Sequence, residues 1–201
     1  MENVIIIGTG GHAKVVADIV YLSGDNLLGF LTTDADKTEF MGKPILGGNE
    51  DYVGYEDCSF IIAIGDATAR ERISDKMRGV RWYTAIHPNS VISKWNTYVG
   101  EGSVIAVNAI VNPSSYIGRH CIINSAAVVE HDNIIGDFAH ISVGAKLAGA
   151  TRIGEKTWVG IGAAVSNGVS ICSDCMIGAG AVVVKDITVP GTYVGVPAAL
   201  I

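Results

Sequence analysis

His131 and Asp132 are the adjacent residues of this chain that are best suited to acid–base chemistry. An imidazole accepts a proton near neutral pH, and a carboxylate that contacts the other ring nitrogen fixes the tautomer and raises the basicity. An amine or hydroxyl must lose a proton as it attacks an acyl group, so the pair predicts a general base with a supporting acid. The alternative is a histidine in a surface turn without a chemical role.

A glycine-rich turn near the start of the chain predicts a site of a second kind. An apolar run at residues 4–7 leads into Gly8-Thr9-Gly10-Gly11, and residues 12–20 have the pattern of an amphipathic helix. A strand, a glycine turn and a helix in this order bring backbone N–H groups at a helix N-terminus close to a phosphate. The alternative is a tight turn that needs glycine for backbone reasons alone.

The elements around this turn predict one β-α-β unit followed by two further strands. Strands are predicted at residues 27–31, 60–65 and 82–86, and a charged helix at 66–78. Asp34 follows the second strand, where an acid can contact a ribose or a base, although a solvated loop acid is an equal alternative. The part of the chain before the repeat is long enough for one mononucleotide-binding half but too short for a two-half dinucleotide fold. This favours a nucleotide sugar over NAD as the ligand.

A repeat with a period of six organises the rest of the chain. Val, Ile or Leu occupies every sixth position from Val99 to Val189, and the residue four positions later, up to position 181, is nearly always small. This period is neither that of a helix nor that of a plain strand. It predicts a parallel β-helix whose repeats bury their apolar side by stacking, with one aliphatic and one small residue of each pointing inward. A sandwich of alternating strands would not hold this period.

Composition and charge exclude several partners. The formal net charge is −6 and the chain has no basic run, so nucleic acid and anionic membrane surfaces are not predicted partners. Hydrophobic residues make up 49% of the chain, yet no apolar run is long enough to insert into and cross a membrane. The first residues lack a basic region and a cleavage site, which predicts a cytoplasmic protein.

The cysteines and histidines do not predict a metal site. The repeat register points Cys175 of the Cys172-x-x-Cys175 motif inward, and there is no second cysteine pair to complete a zinc site, so structural cysteines are expected. The histidines within the repeat are His120, His131 and His140, and no two of them are closely spaced.

Taken together, these motifs resemble the sialic acid O-acetyltransferase family of bacterial sugar acetyltransferases. Within it, the chain is most similar to the UDP-4-amino-sugar N-acetyltransferases of the N,N'-diacetylbacillosamine type. The similarity lies in residues 8–12, 63–66, 129–132 with 138–145, and 191–198, in this order. It implies an α/β Rossmann-like half domain that binds a nucleotide sugar at residues 1–86. It also implies a left-handed parallel β-helix of hexapeptide repeats, three to a turn, at residues 87–201.

The resemblance also implies roles for individual residues. His131 is the expected catalytic base and Asp132 its support, although the best-known member has Glu in place of this Asp. The expected acetyl-CoA contacts are His140, Gly149, Gly160, Ile161 and Ala179. The expected nucleotide-sugar contacts are Gly10, Gly11, His12, Asp34, Gly65 and Asn124. Thr32-Thr33-Asp34 replaces the more usual pair of acids, so the resemblance leaves UDP and dTDP both open.

The function that follows is acetyl-CoA-dependent N-acetylation of the amine of a nucleotide-linked 4-amino-4,6-dideoxy sugar. Transfer would be direct, with a histidine base, no metal, and a homotrimer whose active sites lie between subunits. One alternative is O-acetylation of sialic acid or a related sugar, which needs no nucleotide on the acceptor. A second alternative is a non-catalytic scaffold that binds a nucleotide sugar. In that case His131→Ala would leave binding intact, and there would be no turnover to lose.

Overall fold

The computed structural model describes residues 1–34 and 36–201, and its N-terminal part is a six-stranded sheet with a helix on each face. The elements are β1 (Asn3–Ile7), α1 (Gly11–Leu22), β2 (Asn26–Leu31), β3 (Glu39–Phe40), β4 (Lys43–Gly47), a 3₁₀ helix (Asn49–Gly54), β5 (Ser59–Ile62), α2 (Ala67–Lys76) and β6 (Arg81–Trp82). The strand order is β3-β4-β2-β1-β5-β6, and all neighbours except β3 and β4 are parallel.

The alternation of side chains along β1 supplies two separate cores. Val4 and Ile6 belong to the core that α1 covers, and Ile5 and Ile7 belong to the core that α2 covers. All four side chains are fully buried. Successive residues of a strand point to opposite faces, so a central strand covered on both sides needs an unbroken apolar run.

The two helices begin differently. α2 begins after Asp66, whose carboxylate accepts a hydrogen bond from the N–H of Ala69 at 2.6 Å. α1 begins after Gly10, which offers no side-chain acceptor, so its N-cap residue does not bond the first N–H groups of α1. At 12 and 10 residues neither helix has the length to cross a bilayer, nor does any other helix of the described residues.

From β7 onward the chain winds into a parallel β-helix. Its strands are β7 (Ala85–Ile86), β8 (Val91–Ile92), β9 (Tyr98–Val99), β10 (Val104–Ile105), β11 (Ile110–Val111), β12 (Tyr116–Ile117), β13 (Ile122–Ile123), β14 (Val128–Val129), β15 (Ile134–Ile135), β16 (His140–Ile141), β17 (Lys146–Leu147), β18 (Arg152–Ile153), β19 (Trp158–Val159), β20 (Ala164–Val165), β21 (Ser170–Ile171), β22 (Met176–Ile177), β23 (Val182–Val183), β24 (Thr192–Val194) and β25 (Ala199–Leu200).

From β7 to β23, strands three apart pair in parallel and give the β-helix three faces; at its end β24 pairs in parallel with β22 and antiparallel with β25. The first face runs from β7 through β10, β13, β16, β19 and β22 to β24, the second from β8 to β23, and the third from β9 to β21. Paired residues such as Val104 and Ile122 are 18 positions apart through most of the coil. One turn therefore contains three hexapeptides, as predicted.

Both inward registers of the repeat are buried. From Ile105 to Val183 no residue of the aliphatic register is more than 2% exposed, and from Ser103 to Ala181 no residue of the small register is more than 5% exposed. The apolar members form one continuous core along the axis. Each coil therefore depends on its neighbours to cover its apolar residues, as a repeat protein requires.

The prediction that Val189 points inward is wrong. Its side chain is 55% exposed, whereas Ile187 is 7% exposed and pairs with Ile171. This pairing spans 16 residues instead of 18, because the last coil is two residues shorter than the others. The shortening moves Ile187 into the inward position and Val189 out of it.

The single strand predicted at residues 82–86 is also wrong, because the structure has two strands there. β6 pairs with β5 of the N-terminal sheet, and β7 pairs with β10 of the β-helix. Tyr83, Ala85 and Val104 lie in the core that α1 covers, so apolar packing continues from one part into the other. The domain boundary between residues 86 and 87 stays a prediction. β7, the first strand of the β-helix, lies just before that boundary.

Candidate active site

His131 and Asp132 lie at the corner between the second and third faces, in the turn that joins β14 to β15. The Nδ1 atom of His131 is 2.7 Å from Oδ2 of Asp132, and both side chains are more than half exposed. With a carboxylate at this distance, the neutral imidazole carries its proton on Nδ1. Its Nε2 atom is then left unprotonated, as a general base requires.

Gly149 lies directly beneath the ring of His131. It comes 18 residues later, one coil further along, and a Cβ atom at this position would be 2.6 Å from Cε1 of His131. The N–H of Ala150 donates to the carbonyl of His131 at 2.9 Å, which links the two turns. Gly149, which the resemblance places at the cofactor, thus limits where the imidazole of His131 can lie.

His140 and Asn124 form a second pair, on a different part of the coil. The N–H of Ser125 donates to Oδ1 of Asn124 at 2.8 Å, so the amide nitrogen faces Nε2 of His140, 3.1 Å away. The His140 ring stacks on Trp158 with 4.5 Å between centroids and is 7% exposed. Burial, with Arg70 and His12 adding smaller effects, lowers the pKa of His140 to about 3. His140 is therefore neutral and accepts from Asn124.

The glycine turn opens onto two adjoining cavities of the N-terminal part. One, of about 320 Å³, is lined by the glycine turn, His12, Thr32, Thr33 and residues 63–65. The other, of about 620 Å³, shares Thr32 and Thr33 and includes Asp34. Together they form one cleft, named the nucleotide cleft after the ligand that the sequence predicts for it.

The positions occupied by glycine in the cleft require glycine for different reasons. Gly8 has φ +110°, and a Cβ there would be 3.0 Å from Cγ1 of Ile64, so the turn itself requires glycine. At Gly10, Gly11 and Gly65 a Cβ would meet nothing within 4 Å. Packing within the chain therefore does not explain these three glycines, whereas close approach of a ligand would.

His12 faces the cleft from the first turn of α1. Its Nε2 atom is buried and has no hydrogen-bond partner among the described residues. Burial, assisted by the positive charge of Arg70, lowers the pKa of His12 to about 4. The His12 imidazole is therefore neutral, and its buried Nε2 atom leaves one hydrogen-bonding position unused.

Lys37 lines the same cleft, although no motif in the sequence predicted a role for it. Its Nζ atom lies 2.9 Å from Oδ2 of Asp34 and donates to Oγ1 of Thr9 in the glycine turn at 3.0 Å. The hydrogen bond from Lys37 is the largest effect that lowers the pKa of Asp34. Asp34, expected at the base or ribose, therefore holds a cation beside the glycine turn.

The structure gathers the predicted residues into separate groups. Gly10, Gly11, His12, Asp34 and Gly65 lie around the cleft. A second group lies at the corner between the first and second faces and contains Asn124, Gly160, Ile161 and Ala179. His131, Asp132 and Gly149 lie at another corner.

The corner between the first and second faces is partly open to solvent. Ile161 is 60% exposed, whereas Gly160 is buried and would place a Cβ 2.5 Å from the carbonyl oxygen of Ile177. In residues 1–34 and 36–201, no three His, Cys, Asp or Glu side chains are grouped so that they could hold a metal ion.

The two parts of the chain match two family models. Residues 3–77 match the PglD N-terminal domain, and residues 150–185 match the bacterial transferase hexapeptide model of six repeats. UDP-N-acetylbacillosamine N-acetyltransferase from Bacillus subtilis (strain 168) is 36% identical over 118 residues, which are 52% of this chain and 51% of the relative. The chain thus spans about half the length of this curated relative.

Solved structures match the whole chain. The acetyltransferase domain of PglB from Neisseria gonorrhoeae FA1090, also solved with acetyl coenzyme A, is 33% identical with a TM-score of 0.92, and all of both chains is covered. A mutant of perosamine N-acetyltransferase from Caulobacter crescentus, solved with CoA and GDP-perosamine, is 35% identical with a TM-score of 0.94. That match covers 99% of this chain and 96% of the other.

An α/β half domain with a glycine turn, followed by a hexapeptide β-helix with an exposed histidine–carboxylate pair, defines a hexapeptide acyltransferase. The chain belongs to the family of bacterial, acetyl-CoA-dependent sugar N-acetyltransferases that join a PglD-type N-terminal domain to a left-handed β-helix. The predicted resemblance and fold class are confirmed.

Proposed function

We propose that this protein transfers the acetyl group of acetyl-CoA to the amine of a nucleotide-linked 4-amino-4,6-dideoxy sugar. The observation that carries the proposal is the His131–Asp132 pair, with Nδ1 held at 2.7 Å by the carboxylate. The amine nitrogen attacks the thioester carbonyl, and Nε2 of His131 takes the proton that the amine loses. That proton then goes to the departing CoA thiolate, while Asp132 stabilises the imidazolium in between.

The nucleotide cleft is the proposed site for the acceptor's nucleotide. The uncapped N-terminus of α1 and the open glycines Gly10 and Gly11 suit a diphosphate, and Lys37 supplies a positive charge beside them. Gly65, Asp34 and His12 complete the walls. Binding energy from the nucleotide, remote from the reaction, would orient the amine at the thioester.

The acetyl-CoA site is proposed along the corner between the first and second faces. Gly160, Ile161 and Ala179 would line the pantetheine there, and Asn124 with His140 would lie at the acetyl end. Asn124, whose side-chain amide is held by the buried His140 ring, would contact the acceptor there. Gly149 would contact the cofactor from the His131 corner.

A homotrimer would bring these groups together. Within one chain, His131 lies at a different corner from Asn124 and Ile161, so one β-helix does not build the whole site. We propose that His131 and Asp132 of one subunit face the Asn124 corner of the next, with three equivalent sites.

The experiment is thiol release from acetyl-CoA with parallel acceptors. UDP-, dTDP- and GDP-linked 4-amino-4,6-dideoxy sugars are compared with free sialic acid, and each is repeated with His131→Ala. Fast release with a UDP or dTDP amino sugar, lost in the variant, supports the proposal and identifies the nucleotide. Preference for the GDP-linked sugar would show that the nucleotide is neither UDP nor dTDP. Release with sialic acid alone would contradict the N-acetyltransferase function. No release with any acceptor, alongside nucleotide binding, would point to a scaffold.

A further inference from the structure

Arg70 is a charged side chain buried between the two parts of the chain. It lies on α2 and is 1% exposed. Its Nη1 donates to the carbonyl oxygens of Ile64 at 3.0 Å and Gly65 at 2.7 Å, in the wall of the nucleotide cleft. Its Nε donates to the carbonyl of His120 at 3.0 Å, and its Nη2 donates to the carbonyl of Phe138, both in the β-helix.

These four acceptors explain why the residue is arginine. All are neutral carbonyl oxygens, and none of the carboxylates in the described residues is within hydrogen-bond distance of Arg70. Burial lowers the pKa of Arg70 to about 10, so the side chain is still a cation at neutral pH. A buried cation without an ion pair is costly, and the planar guanidinium is the group that can donate in several fixed directions at once.

The two β-helix carbonyls belong to one corner, between the third and first faces. The rings of His120 and Phe138 are stacked there with 5.3 Å between centroids, and Trp82 of β6 meets His120 edge-on at 4.6 Å. The N-terminal sheet is therefore packed against the same turns that Arg70 binds.

Those two turns lead directly into the strands at the acetyl end of the proposed site. The turn at His120 leads into β13, which is followed by Asn124, and the turn at Phe138 leads into β16, which begins with His140. Arg70 therefore connects the loop that lines the nucleotide cleft with the backbone that carries the Asn124–His140 pair.

We propose that Arg70 is a positioning residue that fixes the nucleotide cleft relative to Asn124 and His140 and so determines where the sugar amine is presented. The expected loss of rate rests on the proposed function, whereas the expected loss of nucleotide affinity does not. Displacement of a reacting group by about 1 Å can cost about 100-fold in rate. A lysine keeps the positive charge but cannot reach both pairs of carbonyls.

Arg70→Lys and Arg70→Met are compared with Lys156→Met. Lys156 also joins the two parts, through Glu71 of α2 at 3.2 Å, but it does not touch the cleft loop. All proteins are assayed below their unfolding midpoints. We expect kcat/KM for the nucleotide sugar to fall about 100-fold in both Arg70 variants, with KM for acetyl-CoA unchanged. Lys156→Met should stay within about twofold of the wild type.

A lowered midpoint with unchanged kcat and KM in Arg70→Lys would overturn the proposal, because Arg70 would then only stabilise the fold. Calorimetric titration with UDP, dTDP and GDP separates this result from failure of the proposed function. Even in the absence of turnover, Arg70→Lys should bind the preferred nucleotide more weakly than the wild type and Lys156→Met do. Equal affinities, or no nucleotide binding by the wild type, would also overturn it.

Discussion

The imidazole of His131 rests on the backbone of Gly149, one coil further along the β-helix. A methyl group on Gly149 would lie 2.6 Å from Cε1 and 2.7 Å from Nε2 of His131. No side chain larger than hydrogen fits there while the ring stays in place. The imidazole of His131 is therefore held from two sides, by the carboxylate of Asp132 and by the backbone of Gly149.

Gly149→Ala should displace the base without unfolding the protein. The ring is exposed and can turn away from the new methyl group, so we expect an unchanged unfolding midpoint and a kcat about 100-fold lower. Thiol release and thermal unfolding measure the two effects. Gly54→Ala is the control, because a Cβ there meets nothing within 4 Å and Gly54 has no positive φ. Full activity of Gly149→Ala would mean that the position of this ring does not limit the reaction.

Asp132→Asn should lower kcat on the order of tenfold or more while KM for both substrates changes little. An amide does not hold the Nδ1–H tautomer or stabilise an imidazolium as a carboxylate does. Asp174→Asn is a matched control, because Asp132 and Asp174 have nearly the same left-handed backbone, with φ 63° and 59°. If both variants lose activity equally, the effect comes from the turns and not from the base.

The period of the repeat predicts more of the site than its inward register alone. Residues 18 apart are neighbours on adjacent coils, and this offset joins His131 to Gly149 and His140 to Trp158. The family resemblance predicted three hexapeptides, or 18 residues, per turn. Pairing outward-facing residues that are 18 positions apart would have predicted both contacts from the sequence.

Arg70 and Lys37 could not be found in this way. Charged residues on helices and loops are usually solvated, and nothing local distinguishes Arg70 from Arg72 two residues later. Arg70 is buried only because α2 packs on the turns at His120 and Phe138, which is a tertiary contact between distant parts of the chain. The prediction that Val189 points inward was wrong for a related reason. The last coil is two residues shorter than the others, which moves Ile187 into the inward position, and the residue types alone do not show this shortening.

Lys37→Met should raise KM for the nucleotide sugar and leave KM for acetyl-CoA unchanged. The ammonium group lies beside the glycine turn, where a diphosphate would bind, so its loss removes a favourable charge. The wild-type KM should also rise with salt, and less so in the variant. Lys94→Met, an exposed lysine of the β-helix, is the control. If Lys37→Met leaves the KM and its salt dependence unchanged, the cation does not contact the substrate.

Ile187→Ala should destabilise the protein by about 2 kcal/mol or more, and Val189→Ala by less than about 0.5 kcal/mol. Ile187 occupies the inward position of the last coil, whereas Val189 is exposed. Urea unfolding of both variants measures the difference. The reverse order would show that the repeat keeps its period of six to the end.

The stability of the protein should fall as the pH is lowered from about 6.5 towards 5. Burial is the largest effect that lowers the pKa of His12 and His120 to about 4 and of His140 to about 3, against an ordinary value of 6.5. In this window the unfolded chain binds protons that the folded chain does not, so stability decreases with decreasing pH and is fully present above about 6.5.

His120→Phe tests this pH dependence at one residue. Both ring nitrogens of His120 are buried without a hydrogen-bond partner among the described residues, and its ring stacks on Phe138. Phe138 sits one coil further along with a positive φ of 60°, close to the 52° of His120, so the backbone accepts phenylalanine there. Thermal unfolding between pH 7 and pH 5 should show a shallower slope in the variant. A slope equal to that of the wild type would mean that His120 is protonated in the folded protein or reached by water.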